Sequence, residues 1–113
     1  MICLNVAREL EKIRVWRVEN NYGDGPYQYS SSDVEHIIGR HNCLNGHPCP
    51  LQDKKILREP QATEICAFLN LEQVYKWFTK EELEKLSEEG YYLKRIRVSK
   101  ITVMGEKQIL AIR

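Results

Sequence analysis

An arginine set inside an apolar strand constrains this chain more than any other feature. In the run Val15-Trp16-Arg17-Val18-Glu19 and the residues before it, Ile13, Val15, Arg17 and Glu19 fall on one face at strand spacing. Arg14, Trp16 and Val18 fall on the other. β-branched and aromatic side chains dominate, so residues 13–19 read as a strand. A guanidinium on a strand face is costly to bury unless it meets an anion or a carboxylate. Two answers stay open: a structural ion pair with Glu19 or Glu72, or an anionic ligand.

The second constraint is a strand that runs straight into an amphipathic helix. Residues 65–69 read as a short strand, and Asn70 then caps a helix, with Gln73 three residues on as a variant of the capping box. Leu71, Val74, Tyr75 and Phe78 form the expected buried stripe, with Trp77 off its centre and covering the sheet edge. Such a junction offers free backbone N–H groups that favour anions. Beside Arg17 it suggests a cleft for a phosphorylated ligand.

The remaining elements follow from local punctuation. Residues 20–26 are rich in Asn, Gly and Pro and break the first strand. Ser30, Ser31, Ser32 and Asp33 offer N-caps for a short helix up to Gly39. Residues 40–60 have little periodicity, and Pro48 and Pro50 exclude a helix there; a loop of that length in a small domain is often functional. Thr79 and Glu82 form a capping box, Leu83 and Leu86 face inward, and Gly90 stops the helix. Strands follow at residues 91–98, 101–104 and 108–112, with a turn at Gly105-Glu106. The expectation is one α+β domain over residues 1–113, a curved and mostly antiparallel sheet with two to three helices.

Composition bounds the function. With 17 basic and 16 acidic side chains in 113 residues, the net charge of +1 makes a dedicated nucleic-acid binder unlike this chain. Lys94, Arg95, Arg97 and Lys100 form a local basic patch, read either as a binding surface or as a solvated strand face. No apolar run reaches the roughly 18–20 residues that span a bilayer, and residues 1–8 lack signal-peptide architecture. A cytoplasmic protein is expected, with Cys3, Cys43, Cys49 and Cys66 as thiols.

His41, Cys43, His47 and Cys49 lie close enough in sequence to raise a metal site. Their spacing is unlike that of zinc fingers or ribbons, and Pro48 and Pro50 stiffen the loop, so no metal is expected. Cys43 or Cys49 with His36, His41 or His47 could form a nucleophile pair. These cysteines, however, sit in an irregular loop rather than at a helix N-terminus.

Motif order supplies a resemblance. Arg17-Val18-Glu19, Gly25-Pro26-Tyr27, His47-Pro48-Cys49-Pro50-Leu51-Gln52-Asp53, Ala67-Phe68-Leu69-Asn70, Trp77-Phe78, Gly90-Tyr91 and Lys107-Gln108 occur in sequence. Over most of residues 13–112 the chain resembles a family of small phage and prophage proteins. That layout in turn looks like a reduced ADP-ribosyltransferase fold. The resemblance implies Arg17 on a phosphate or ribose of NAD, Phe68 and Asn70 organising the cofactor pocket, and Gln108 or Glu106 at the nicotinamide ribose. Asn70 replaces the Ser or Thr of that superfamily, and Gln108 its catalytic glutamate; a neutral amide cannot stabilise a developing cation as a carboxylate does. Two functions follow. One is a non-enzymatic phage protein without cofactor that binds and inhibits a host defence protein such as a CRISPR effector, through Tyr22, Tyr27 and Tyr29. The other is an NAD-dependent transferase acting on a host macromolecule, with Arg17, Glu106 and Gln108 catalytic. The transferase needs Glu106 in the same cleft as Arg17.

Overall fold

Strand β1 (Arg14–Glu19) divides the interior in two. A computed structural model describes residues 13–28 and 31–113. Val18 and Trp16 face a core with Phe68, Val74, Trp77, Phe78, Leu86 and Tyr91. Val15 faces the other way, into a core with Ala67, Val98, Ile109 and Ala111. Strand alternation alone sends neighbouring residues to opposite cores.

Helix α1 (Ser32–Ile37) starts at Ser31, whose hydroxyl accepts from the Val34 amide, and it ends before the expected Gly39. A 3-10 turn, Cys43–Asn45, interrupts the long loop. β2 (Glu64–Ala67) leads to α2 (Leu71–Trp77) and α3 (Lys80–Glu88). Thr79 and Glu82 close the capping box at the start of α3 as expected. At its end the Gly90 amide bonds the Ser87 carbonyl and the Tyr91 amide the Leu86 carbonyl, with Gly90 at φ +87°. That left-handed stop is the reason a glycine stands there. β3 (Tyr92–Arg97), β4 (Lys100–Met104) and β5 (Ile109–Ile112) complete the chain.

The fold is α+β with antiparallel pairing throughout, but the strands form two sheets where one curved sheet was expected. β1 pairs with β3, and β2-β5-β4 form a second sheet. A single bridge joins them: Trp16 and Phe68 exchange backbone hydrogen bonds of 2.8 and 2.7 Å. β2 ends at Ala67, earlier than expected, because Phe68 turns to meet Trp16 instead of continuing along β5.

The stripe on α2 also differs. Val74, Trp77 and Phe78 are buried, whereas Leu71 is 37% and Tyr75 49% exposed. Seven residues make barely two turns, too few for periodicity to fix the inward face. Trp77 faces inward because its indole N–H donates to the Tyr27 hydroxyl at 2.7 Å and its ring packs edge-on against Phe68 and His47. Gln73 reaches past the cap: its side chain accepts from the Leu69 amide, while Asn70 accepts from the Gln73 amide at 2.9 Å.

Candidate functional site

Arg17 extends from β1 on the face of Val15 and is buried. Its Nε donates to Glu19 at 2.9 Å, Nη1 to the Cys66 carbonyl at 2.5 Å and Nη2 to the Gly23 carbonyl at 3.3 Å. Glu72 pairs instead with Lys76 along α2. Glu19 also takes Arg113 and, at 3.9 Å, Lys94. Burial pulls the Arg17 guanidinium below its ordinary pKa, and Glu19 opposes that pull. Each of the three guanidinium nitrogens thus makes one hydrogen bond to protein.

The guanidinium therefore acts as a brace under the turn at residues 20–26. Asn20 Oδ1 accepts from the Tyr22 and Asp24 amides at 2.9 and 3.0 Å. Gly23, at φ +85°, offers its carbonyl to both Arg17 and Arg113. Tyr22 stands on top of this turn, 90% exposed.

Arg17, Phe68 and Gln108 share a cavity of about 60 Å³ with Tyr27, Cys66, Trp77 and Phe78. Gln108 is buried and its amide donates to the Pro48 carbonyl at 2.6 Å. Glu106 and Asn70 lie elsewhere. They line a polar cleft of about 500 Å³ with Gln73, Lys76 and Lys107. Tyr27 lines the cavity, Tyr22 stands outside it, and Tyr29 falls outside the described residues.

A hydrogen-bond chain runs beside the cavity. Trp77 Nε1–H donates to the Tyr27 hydroxyl, whose oxygen lies 2.5 Å from His41 Nδ1. Glu82 can only accept, so the neutral His41 ring donates Nε2–H to it at 3.1 Å and takes the Tyr27 hydroxyl proton at Nδ1. Arg40 clamps Glu82 through Nε at 2.9 Å and Nη2 at 2.8 Å. Burial pushes the Tyr27 phenol well up, keeping it a neutral donor. Burial also lowers His41, with Glu82 opposing. Burial alone would raise Glu82, but Arg40, the Thr79 amide and His41 hold it below its ordinary value.

His47 stacks on His41 with ring centroids 4.2 Å apart, and its Nε2 lies 2.6 Å from the Trp77 carbonyl. Both histidines line a cavity of about 320 Å³ with Cys49, Cys66 and Gln108. No Cys–His hydrogen bond forms among the described residues: Cys49 donates to Gln52, and Cys43 is exposed. Burial raises the Cys66 thiol, against nucleophilicity. Among the described residues no group of three or more His, Cys, Asp or Glu side chains is placed to hold a metal ion.

Sequence reasoning named His41 and Glu82 separately but missed their junction with Arg40 and Tyr27. The capping box was a local signal for Glu82; the Arg40 guanidinium and the His41 ring reach it from 42 and 41 residues away. The chain has a pH signature. His41 is depressed, so its contribution is intact above the unfolded pKa of about 6.5 and fades as pH falls through the folded value. Glu82 is depressed too, and so is Glu64, whose carboxylate accepts from both Nη groups of Arg58 at 2.6 and 2.7 Å; their contribution fades below about pH 4. The denaturation midpoint should fall in two stages on acidification; a flat midpoint from pH 7 to 5 would remove His41 from the account.

Fold and site together define a small α+β protein whose buried polar groups brace one another. The chain belongs to the bacteriophage T4 Y00F protein family, whose model matches residues 10–113. No curated protein and no solved structure matches it. Among the described residues no helix is long and apolar enough to cross a membrane.

Proposed function

We propose that this phage protein acts by binding a host protein, without catalysis, through the Tyr22 turn. The observation that carries this reading is a 90% exposed tyrosine on a turn locked from beneath by Asn20, Arg17 and Arg113. A rigid exposed aromatic loses little entropy on docking, and tyrosine is a frequent hot-spot residue. Membership of a phage family supports a partner in the infected cell, and a defence component such as a CRISPR effector is the partner class we assign.

NAD-dependent transfer on an ADP-ribosyltransferase-like scaffold has less support. The Arg17 cavity, about 60 Å³, is far below the roughly 300–1,000 Å³ of ordinary ligand pockets. Glu106 lines a different cleft, and the Gln108 amide is held by Pro48.

The test pairs two substitutions. Tyr22→Ala should shift stability by no more than about 0.5 kcal/mol, yet abolish recovery of a stoichiometric host partner on the immobilised protein. Arg17→Ala should cost about 2–3 kcal/mol, less than a stranded buried charge, because Arg113 and Lys94 still meet Glu19. It should also weaken capture by loosening the turn. Consumption of NAD with modification of a host macromolecule would overturn the binding reading.

A further inference from the structure

Alternation in β3 splits the basic patch that the sequence presents as one run. Lys94 turns toward Glu19 and the Asn20 carbonyl, which takes its Nζ at 3.1 Å. Arg95 and Arg97 point to the opposite face, and β1 adds a third arginine there. In the β1–β3 register Arg14 stands directly opposite Arg97, and Trp16 directly opposite Arg95. All three arginines are exposed, and the Arg95 guanidinium lies 5.9 Å from the centroid of the Trp16 ring.

This arrangement works against the fold. Like charges directly opposite on paired strands are destabilising, and here a third lies one diagonal step away. Among the described residues no carboxylate lies within 4.0 Å of Arg14, Arg95 or Arg97. Toward the other end of the same face, Trp16, Val18 and Leu93 pack into the core. The charge is thus concentrated on the stretch that the core leaves open. Arg95 and Arg97, two residues apart along β3, with Arg14 beside Arg97, suit neighbouring phosphodiesters, which each fork can grip through paired N–H groups. The exposed Arg95 guanidinium, held over the partly buried Trp16 ring, adds a planar surface on which an unpaired base can stack.

The geometry points to a binding face for single-stranded nucleic acid formed by Arg14, Arg95, Arg97 and Trp16. The near-neutral total charge of 17 basic and 16 acidic side chains conceals it, because a sum over the chain carries no information about one face. It lies on the opposite side of β1 from Arg17 and is independent of the Tyr22 surface.

Fluorescence anisotropy with a labelled 20-nucleotide single strand, as DNA and as RNA, tests this on the full chain. Affinity should fall as salt rises, with a log–log slope of about −2 for three phosphate contacts. The double variant Arg14→Gln with Arg97→Gln should bind at least tenfold more weakly and flatten that slope. Its denaturation midpoint should hold or rise, since a repulsive pair is gone. Lys76→Gln, on α2, should bind as the parent does. No binding at 50 mM salt, unchanged binding by the double variant, or a poly-glutamate of matched charge binding as tightly as the oligonucleotide would each overturn the proposal. A duplex binding more tightly than the single strand would overturn the stacking role of Trp16 and Arg95.

Discussion

Phe78→Ala should remove about 3–5 kcal/mol, the usual cost of truncating a buried aromatic side chain. Phe78 is 2% exposed and packs edge-on to Phe68 at 6.1 Å and to His41 at 5.0 Å between ring centroids. It also occupies the joint between two helices: its amide closes α2 on the Val74 carbonyl at 2.8 Å, and Thr79 caps α3 next in the chain. Losing the ring strips one wall from His41 as well as from the core around Val74 and Leu86. Domains of this size hold only about 5–15 kcal/mol in total, so the variant should lose a large share of its margin. Urea denaturation of the variant beside the parent measures it, and Phe78→Leu should recover part of the loss. A cost below about 1 kcal/mol would mean the two helices do not depend on this joint.

Features decided within a few residues were legible in the sequence. The Thr79–Glu82 capping box, the Gly90 stop and the Asn70 cap each depend on contacts within a turn or so of helix, and each forms where expected. Features decided by distant partners were not. Nothing local tells β2 to leave its strand after Ala67; the Trp16 backbone, far away in the chain, draws Phe68 across. On α2 the local pattern favoured Leu71 and Tyr75, but the Tyr27 hydroxyl and the His47 ring select Trp77. The composition of the His/Cys loop suggests metal or nucleophile chemistry. Its two histidines instead stack on each other, one in a hydrogen-bond chain and one on a backbone carbonyl. The basic run was legible as a composition but not as a complete face: alternation within β3 sets Lys94 apart, and only the pairing of β3 to β1 recruits Arg14.

Asp53 closes the His47–Asp53 motif, and its substitution should rival that of Phe78. The side chain is fully buried. Its Oδ1 accepts from the Glu106 and Lys55 amides at 2.8 and 3.0 Å, and its Oδ2 from the Lys107 amide at 3.0 Å. One carboxylate thereby ties the long loop to the turn between β4 and β5. The turn is fitted closely around it: a Cβ at Gly105 would fall 2.8 Å from Asp53 Oδ2 and 2.3 Å from the Gln108 carbonyl oxygen. Asp53→Ala strands three N–H donors, and hydrogen bonds to a charged group are worth more than neutral ones; a loss of about 3–5 kcal/mol is expected. Asp53→Asn should not rescue it fully, since an amide NH₂ cannot accept where a carboxylate oxygen did. Burial alone would raise the carboxyl, but the backbone donors outweigh it and hold the pKa below its ordinary value. The contribution is therefore complete above the unfolded pKa of about 4 and is lost as pH falls through the folded value. Denaturation of Asp53→Ala across pH 2–7 should show the gap to the parent closing in acid. A gap that stays constant over that range would show that the ionised carboxylate is not what holds the turn.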